Sequence, residues 1–285
     1  METIESAGHS SAGHSSAGYS PAWLDLREPA DAQARSAELV AELRRLLAPA
    51  GHIEVHDLGC GTGSMGRWLA PQLPGSQHWV LHDRDLALLG HAQARMAPTA
   101  ADGAPVTATT RRDDVTALTE HDLAGAGLIT ASALLDLLTR DEVDALARTC
   151  LAVGCPALLT LTVVGQVEIR PADELDGELA AAFNDHQRRH SAGRALLGPD
   201  AVEVATEAFT RHGAKVLVRP SPWRLGPPQA ALAAQWLDGW IAAAYEQRPE
   251  LAGRPGGYRR RRHDAAAAGE LTIDVEHRDI LVLPR

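Results

Sequence analysis

Val55-His56-Asp57-Leu58-Gly59-Cys60-Gly61-Thr62-Gly63 is the stretch that decides the fold. It grows out of a short apolar run, Ile53 to Leu58, of strand length, and breaks into three closely spaced glycines ahead of a helical stretch through Trp68 and Leu69. Glycines there let the backbone turn tightly and let a flat ligand lie against it with no Cβ in the way. On the residues alone two alignments stay open. Gly61-x-Gly63-x-x-Gly66 fits a dinucleotide fingerprint, which expects an acid about 20 residues further on. With Gly61 as the first glycine, Asp57 falls in the buried end of the strand, an expensive place for an unpaired carboxylate. With Gly59 as the first, Asp57 stands at the strand's mouth and faces the ligand.

Downstream, strands and helices alternate. Strands are expected over His78 to His82, Val106 to Thr110, Leu128 to Ala131 and Ala157 to Val164, with helices over Asp85 to Met96 and Arg140 to Leu151. Such alternation, with short apolar strands, predicts an α/β fold with a doubly wound parallel sheet and right-handed crossovers. Beyond Gly165 the rhythm changes. Residues 173–197 read as a polar helical segment, followed by a helix near 200–212 and a strand from Ala214 to Arg219. Ala233, Trp236, Leu237, Trp240, Ile241 and Ala244 mark a long amphipathic helix, and Leu271 to Val275 with Asp279 to Leu283 closes the chain in extended form. Upstream, the pentads SAGHS, SAGHS and SAGYS predict a disordered tail over 1–20. Pro29 is placed in the first turn of a helix, and Leu39, Val40, Leu43, Leu46 and Leu47 form one helical stripe.

Composition narrows the function. The 285 residues carry 27 Lys+Arg against 37 Asp+Glu, a net charge of -10, which argues against a nucleic-acid backbone binder. The longest nearly apolar stretch, Pro156 to Gly165, falls far short of the ~20 residues of a membrane-spanning helix. The first residues show no basic or apolar leader, so a cytoplasmic location is expected. Three cysteines make neither a disulfide framework nor a zinc spacing, and the 13 histidines form no recognised metal motif, so no metal is expected. His186 and His190, four apart on the expected helix, have no third ligand at helical spacing. The basic run Arg259 to Arg262 reads as a solvated helix end or a contact for an acidic substrate.

Three acids fall at successive strand ends: Asp57, Asp83 with Asp85 nearby, and Asp114 with Asp113 beside it. Such a set suits a ligand with one cation, several donors and no phosphates. Together with this set, the motifs DLGCGTG at 57–63, LHDRD at 81–85, RRDDV at 111–115, LITASALLDLL at 128–138 and VEHRDILVL at 275–283 resemble those of the class I S-adenosylmethionine-dependent methyltransferases. The resemblance spans residues 35–165 closely and 200–285 more loosely. It implies a Rossmann-like seven-stranded sheet with an antiparallel last strand, and S-adenosyl-L-methionine as cofactor. It also implies an N-terminal helical lid over 21–50 and a methyltransferase domain over 51–285, with helical insertions at about 170–198 and 227–268. In the implied site Gly59, Gly61 and Gly63 line the cofactor's amino-acid chain, and Asp57 holds its amino group, directly or through water. Asp83 takes both ribose hydroxyls, Asp114 accepts from the adenine amino group beside the Val115 amide, and Ser132 borders the cofactor at the end of strand four. Asp113 competes for the adenine role. For each acid the alternative is a helix cap or a solvated turn.

Methyl transfer is an in-line displacement for which an enzyme supplies alignment, water exclusion and, where needed, a base. The catalytic residues are therefore not fixed by the fold. Asp136, His186 and His190 are the candidate bases, and Trp23, Arg27, Asn184 and Trp223 the candidate acceptor contacts, with Trp23 and Arg27 just ahead of the first helix. The segment Ser132 to Asp136 departs from the Asn and aromatic or His pair of many relatives. There is no Asn-Pro-Pro-Tyr motif for adenine or glutamine amide methylation, nor a catechol-type set of metal-binding acids. The expectation is a methyltransferase of a small-molecule acceptor, at O or N, of the secondary-metabolism type, with neither nucleic acid nor membrane as partner and the oligomeric state open. The alternatives are an NAD(P)-dependent oxidoreductase, a non-catalytic S-adenosylmethionine-binding protein and, more weakly, an RNA methyltransferase.

Overall fold

The computed structural model describes residues 20–47, 51–254 and 257–284, so the expected tail, Ser20 apart, lies outside the described residues. Two helices, Pro21–Ala34 (α1) and Ala37–Leu47 (α2), precede the alternating region. There follow His52–Leu58 (β1), Ser64–Leu69 (α3), Ser76–Asp83 (β2), Leu86–Ala94 (α4), Val106–Arg112 (β3), Leu128–Ser132 (β4), Arg140–Val153 (α5) and Ala157–Arg170 (β5). The second half comprises Asp176–Gln187 (α6), His190–Ser191 (β6), Arg194–Ala195 (β7), Ala201–Arg211 (α7), Lys215–Pro220 (β8) and Trp223–Leu225 (β9). Ala230–Gln247 (α8), Tyr258–Ala267 (α9) and Thr272–Leu283 (β10) complete it.

The main sheet has the order β3-β2-β1-β4-β5-β10-β8, with β9 also paired to β10. The first five strands are parallel, while β10 runs antiparallel to both β5 and β8. The sheet is thus the expected Rossmann-like one. Parallel strands covered on both faces must be apolar throughout, and two cores supply that cover. Leu43, Val55, Leu69 and Trp79 pack on one face with α2, α3 and α4. Leu58, Ile129, Leu146 and Phe209 pack on the other with α5 and α7. A third core, with Trp23, Ile169, Leu179, Trp223, Leu237, Trp240 and Ile273, forms between α1, the helical insertions and the far halves of β5 and β10.

Several expectations are corrected. α1 begins at Pro21, where the Ser20 hydroxyl accepts from the Trp23 amide; Pro29 lies inside the helix, and Trp23 and Arg27 are on it rather than ahead of it. Leu46 is 44% exposed and off the buried stripe. The polar segment is helical only to Gln187, because Ala192 (φ 52) and Gly193 (φ 80) both adopt left-handed backbone and turn the chain into a β6–β7 hairpin. His190 is therefore on a strand, away from the helix that carries His186. β5 continues past Val164 to Arg170, since β10 pairs with it as one strand through two register shifts. The Arg259 to Arg262 run is a solvated helix end only at Arg259 and Arg260, which are exposed in the first turn of α9. Arg261 binds Asp173 at 2.6 Å, and the buried Arg262 donates to Asp176 and to the Pro171 carbonyl.

Candidate active site

The loop after β1 holds Gly59, Gly61 and Gly63 at φ 65, 55 and 84, backbone that L side chains rarely adopt. Its amides are already committed. Cys60 N donates to the His82 carbonyl at 2.9 Å, Gly63 N to the Cys60 carbonyl at 2.8 Å, and Gly61 N to Asp83 Oδ2 at 3.0 Å.

The loop borders a cavity of about 870 Å³ at the carboxyl ends of the parallel strands. Asp57, Gly59, Gly61, Asp83, Asp114, Val115 and Ser132 all line it, as do Leu24, Arg27 and Asp113. Gly63 does not: it starts α3, and a Cβ there would sit 3.0 Å from the Ala92 side chain. Asp57 lies opposite Thr130 and Leu81 inside the sheet and is 1% exposed, so it is buried as the alignment on Gly61 predicts, and not at an open strand mouth. Its Oδ1 accepts from the Thr130 hydroxyl at 2.7 Å, its Oδ2 has no partner, and burial pushes it up to about 7. Asp83 is fixed by the Gly61 amide on one oxygen and by the Asp85 amide, at 2.9 Å, on the other. Asp114 caps the 3-10 turn Val115–Ala117, and the Thr116 hydroxyl and amide hold it below the usual carboxylate range. It is thus a cap and a cavity residue at once. Asp113 accepts from His82 Nδ1 at 2.8 Å.

Ser132 Oγ accepts from Arg35 Nη2 and from the Thr160 hydroxyl, both at 3.1 Å. Arg35, which the sequence reading missed, is buried, lies 5.1 Å over the Trp68 ring and joins α1 to the β4 end.

A second cavity, of about 280 Å³, adjoins the first, and Arg27, Ala133 and Leu137 line both. Ala133 has φ 50, a strained value for a residue with a Cβ, just where the two meet. Trp23, Asp136, His186 and Trp223 line this cavity as well. Asp136 Oδ1 is buried without a partner, and burial pushes the carboxyl up to about 6. Arg27 grips Asp31 through both carboxylate oxygens, at 3.0 and 3.2 Å, and lies 4.9 Å over the Trp223 ring. Asp31 also accepts from the Trp223 indole at 3.0 Å. His186 Nε2 is 3.3 Å from Glu246, and burial lowers its pKa.

Two expected contacts do not reach this cavity. Asn184 instead donates to the Gly165 carbonyl at 2.8 Å, and His190 is exposed on its hairpin. In their place stand Phe183 and Gln187, the alternatives to Asn184 and His186 that the helical spacing of this segment left open, together with Trp236, Trp240 and His277, which the sequence reading missed. His277 is buried beside Trp223 at 5.3 Å between ring centroids, and burial, with Arg27 near, pushes it down to about 3. Trp236 and Trp240 were legible only as an apolar helix face, and His277 only as one position in an extended strand.

Among the described residues, no group of three or more His, Cys, Asp or Glu is placed to hold a metal ion, and no helix is long and apolar enough to cross a membrane. The larger cavity fits S-adenosylmethionine by its chemistry. It offers an unpartnered carboxylate oxygen for a cation, a buried unpartnered Thr62 hydroxyl, and ordered acids for hydroxyl and amino donors.

The family model described as a methyltransferase domain matches residues 55–156. No relative among curated proteins matches the chain. Among solved structures, the chain is similar to the cyclopropane synthase MmaA2 from Mycobacterium tuberculosis, at 15% identity over 92% of this chain and 94% of that one, with a TM-score of 0.48. It is also similar to an S-adenosylmethionine-dependent methyltransferase from Geobacter sulfurreducens in complex with S-adenosyl-L-homocysteine, at 17% identity over 93% and 99%, with a TM-score of 0.42. At these TM-scores neither likeness assigns anything to this chain. The strand order, the glycine loop with its acids, and the family match make residues 55–156 a methyltransferase domain, whose cofactor is S-adenosylmethionine.

Proposed function

We propose that the enzyme methylates an oxygen or nitrogen of a small-molecule acceptor held in the smaller cavity, with Asp136 as general base. The observation that carries this reading is the unpartnered, buried Oδ1 of Asp136, on the segment after β4 that borders both cavities. When bound, S-adenosylmethionine supplies a methyl carbon activated by its sulfonium, with the C–S electron pair leaving on sulfur.

The chain's own residues do the rest. Asp57 takes the cationic amino group, Asp83 presents its remaining lone pairs to the ribose hydroxyls, and Asp114 with the Val115 amide meets the adenine edge. Gly59 and Gly61 keep the floor of the cavity flat. Arg27, fixed by Asp31, holds α1 across both cavities as a lid, while Trp23 and Trp223 wall the acceptor and exclude water. As the acceptor's lone pair attacks, Asp136 takes the proton that the O–H or N–H gives up. His186 is a base in reserve, tied to Glu246, whereas His190 has no part in this scheme. Asn184 acts at one remove, holding α6 to β5. The net charge of -10 favours a metabolite over nucleic acid, in keeping with a cytoplasmic enzyme of secondary metabolism.

The test is Asp136→Asn. With an accepted substrate, kcat falls about 100-fold or more, as for loss of a general base. The wild-type rate climbs with pH through about 6, since the base must be ionised, and that limb disappears in the variant. Titration with S-adenosylhomocysteine gives the same affinity for both proteins. An unchanged pH profile would remove Asp136 from the mechanism.

A further inference from the structure

We propose that the smaller cavity selects an uncharged, planar aromatic acceptor that donates a hydrogen bond at one edge and accepts one at another. This inference rests on the methyltransferase reading and names the acceptor class for the same site.

The first observation is where the chain spends its aromatic residues. It has only 6 Trp, 3 Tyr and 2 Phe. Four of those tryptophans, Trp23, Trp223, Trp236 and Trp240, and one of the phenylalanines, Phe183, line this one cavity of about 280 Å³. They arrive from α1, α6, α8 and β9. Trp236 and Trp240 stack at 5.7 Å and 21°, and Phe183 tilts against Trp240 at 6.3 Å. Core packing alone does not require such a concentration at a void. Aromatic faces favour a flat ring, since offset and edge contacts add attraction beyond the area they bury.

The second observation excludes ions. Most charged groups around the void already have partners within the protein, Asp136 apart. Arg27 is bound to Asp31, His186 faces Glu246, Glu276 binds Arg278 at 2.7 Å, and Arg189 donates to the His186 carbonyl at 3.0 Å. An aromatic cage could in principle hold a ligand cation, but the Arg27 guanidinium already covers the Trp223 face. A cationic acceptor would lose its water here and find, besides Asp136, which the proton transfer needs, only the exposed Glu246, and an anionic one would find only Arg189, already donating to His186.

The third observation sets the polarity of the ring's edge. Among the described residues, four buried side-chain atoms that lack a partner belong to this cavity: Asp136 Oδ1, Gln187 Oε1, Trp240 Nε1 and His277 Nδ1. A buried polar group left unpaired keeps its desolvation cost, so a ligand that satisfies these atoms is favoured. The Trp240 indole N–H can only donate, whereas Gln187 Oε1 and an ionised Asp136 can only accept. The acceptor therefore carries an O–H or N–H, which is also the nucleophile's proton, together with a carbonyl or ring nitrogen. Hydroxyarenes and aminoarenes with a carbonyl substituent meet this description.

The experiment titrates the full-length protein, saturated with S-adenosylhomocysteine, with a set built on one skeleton. The probes are 6-acetyl-2-naphthol, 2-naphthol, the anionic 6-hydroxy-2-naphthoic acid, the cationic 6-(aminomethyl)-2-naphthol and the saturated decahydro-2-naphthol. The acetyl compound is expected to bind about ten-fold or more tightly than both charged compounds and the saturated one, a difference of about 1.4 kcal/mol. Trp240→Phe keeps an aromatic wall but loses the N–H, so the advantage of 6-acetyl-2-naphthol over 2-naphthol should vanish. Equal binding of a charged or saturated probe overturns the proposal on the wild-type protein, whatever the variant does. Equal weakening of both naphthols by Trp240→Phe overturns the donor role. Binding of S-adenosylhomocysteine with no naphthol bound overturns this inference alone, whereas failure to bind S-adenosylhomocysteine overturns the reading beneath it.

Discussion

Asp57 shows how much one side chain's surroundings change its chemistry. The sequence places a carboxylate at a strand end facing a ligand, and the structure buries it to 1% exposure with one oxygen unpartnered. Burial raises it from 3.8 to about 7. The unfolded chain therefore ionises this group first, and stability falls as pH rises from about 4 to about 7. A bound cation reverses that preference. Binding of S-adenosylhomocysteine near pH 6.5 should release a proton, measured as a dependence of the calorimetric enthalpy on the buffer's ionisation enthalpy. Asp57→Asn should abolish the release, weaken binding by about ten-fold or more, and raise the melting temperature of the ligand-free protein at pH 8. A wild-type titration without proton release would mean that Asp57 is already ionised in the free enzyme. Its position was legible because a strand followed by glycines is a local pattern; its burial was not, because Thr130 and Leu81 flank it from distant strands.

Among the elements, the first four parallel strands came through from sequence with nearly their bounds, whereas β5, which continues to Arg170, and the polar segment after it did not. α6 ends where Gln187 meets Gly198 (φ 52), whose Cβ position would lie 2.8 Å from Gln187 Cβ, and the chain then turns into a hairpin. Periodicity cannot see a helix stop imposed by a neighbour seated eleven residues further on. The same helix is anchored at its middle by the Asn184 bond to Gly165. Gly165 has φ 70, and a Cβ there would sit 2.8 Å from both Asn184 and Pro199. Gly165→Ala should therefore cost about 1–3 kcal/mol of stability, read as a lower melting temperature. It should weaken acceptor binding more than S-adenosylhomocysteine binding, because α6 walls only the smaller cavity. Equal losses at both sites would show that α6 supports the whole sheet rather than one cavity.

Across the whole molecule, α1 is the piece that joins the two cavities. Asp25 binds Arg95 at 2.5 Å, Glu28 binds Arg67 at 2.8 Å, Asp31 binds Trp223, and Arg27 lines both voids. Most of these bonds are polar and lie near the surface, so the helix is held less firmly than α5 or α7, which cover an apolar core. Hydrogen exchange should then report a larger slowing over residues 21–34 on binding S-adenosylhomocysteine than over α5 or α7. No change over 21–34 would make α1 a fixed wall instead of a closing one.

By itself the sequence determined the sheet, the glycine loop and the acids around the cofactor cavity, from which the resemblance to class I methyltransferases implied the cofactor. All of these are written in short runs where strand period, positive-φ glycines and strand-end carboxylates lie within a few residues of each other. Only the tertiary structure decided the acceptor cavity. Its walls come from Trp23, Asp136, Phe183, Trp240 and His277, spread across most of the chain, and they meet because α1, α6, α8 and β10 must bury their apolar faces over one another. The same packing turns Asp136 and Asp57 into groups that titrate near neutrality and leaves four polar atoms waiting for a partner, since burial is a property of neighbours and not of the residue that is buried.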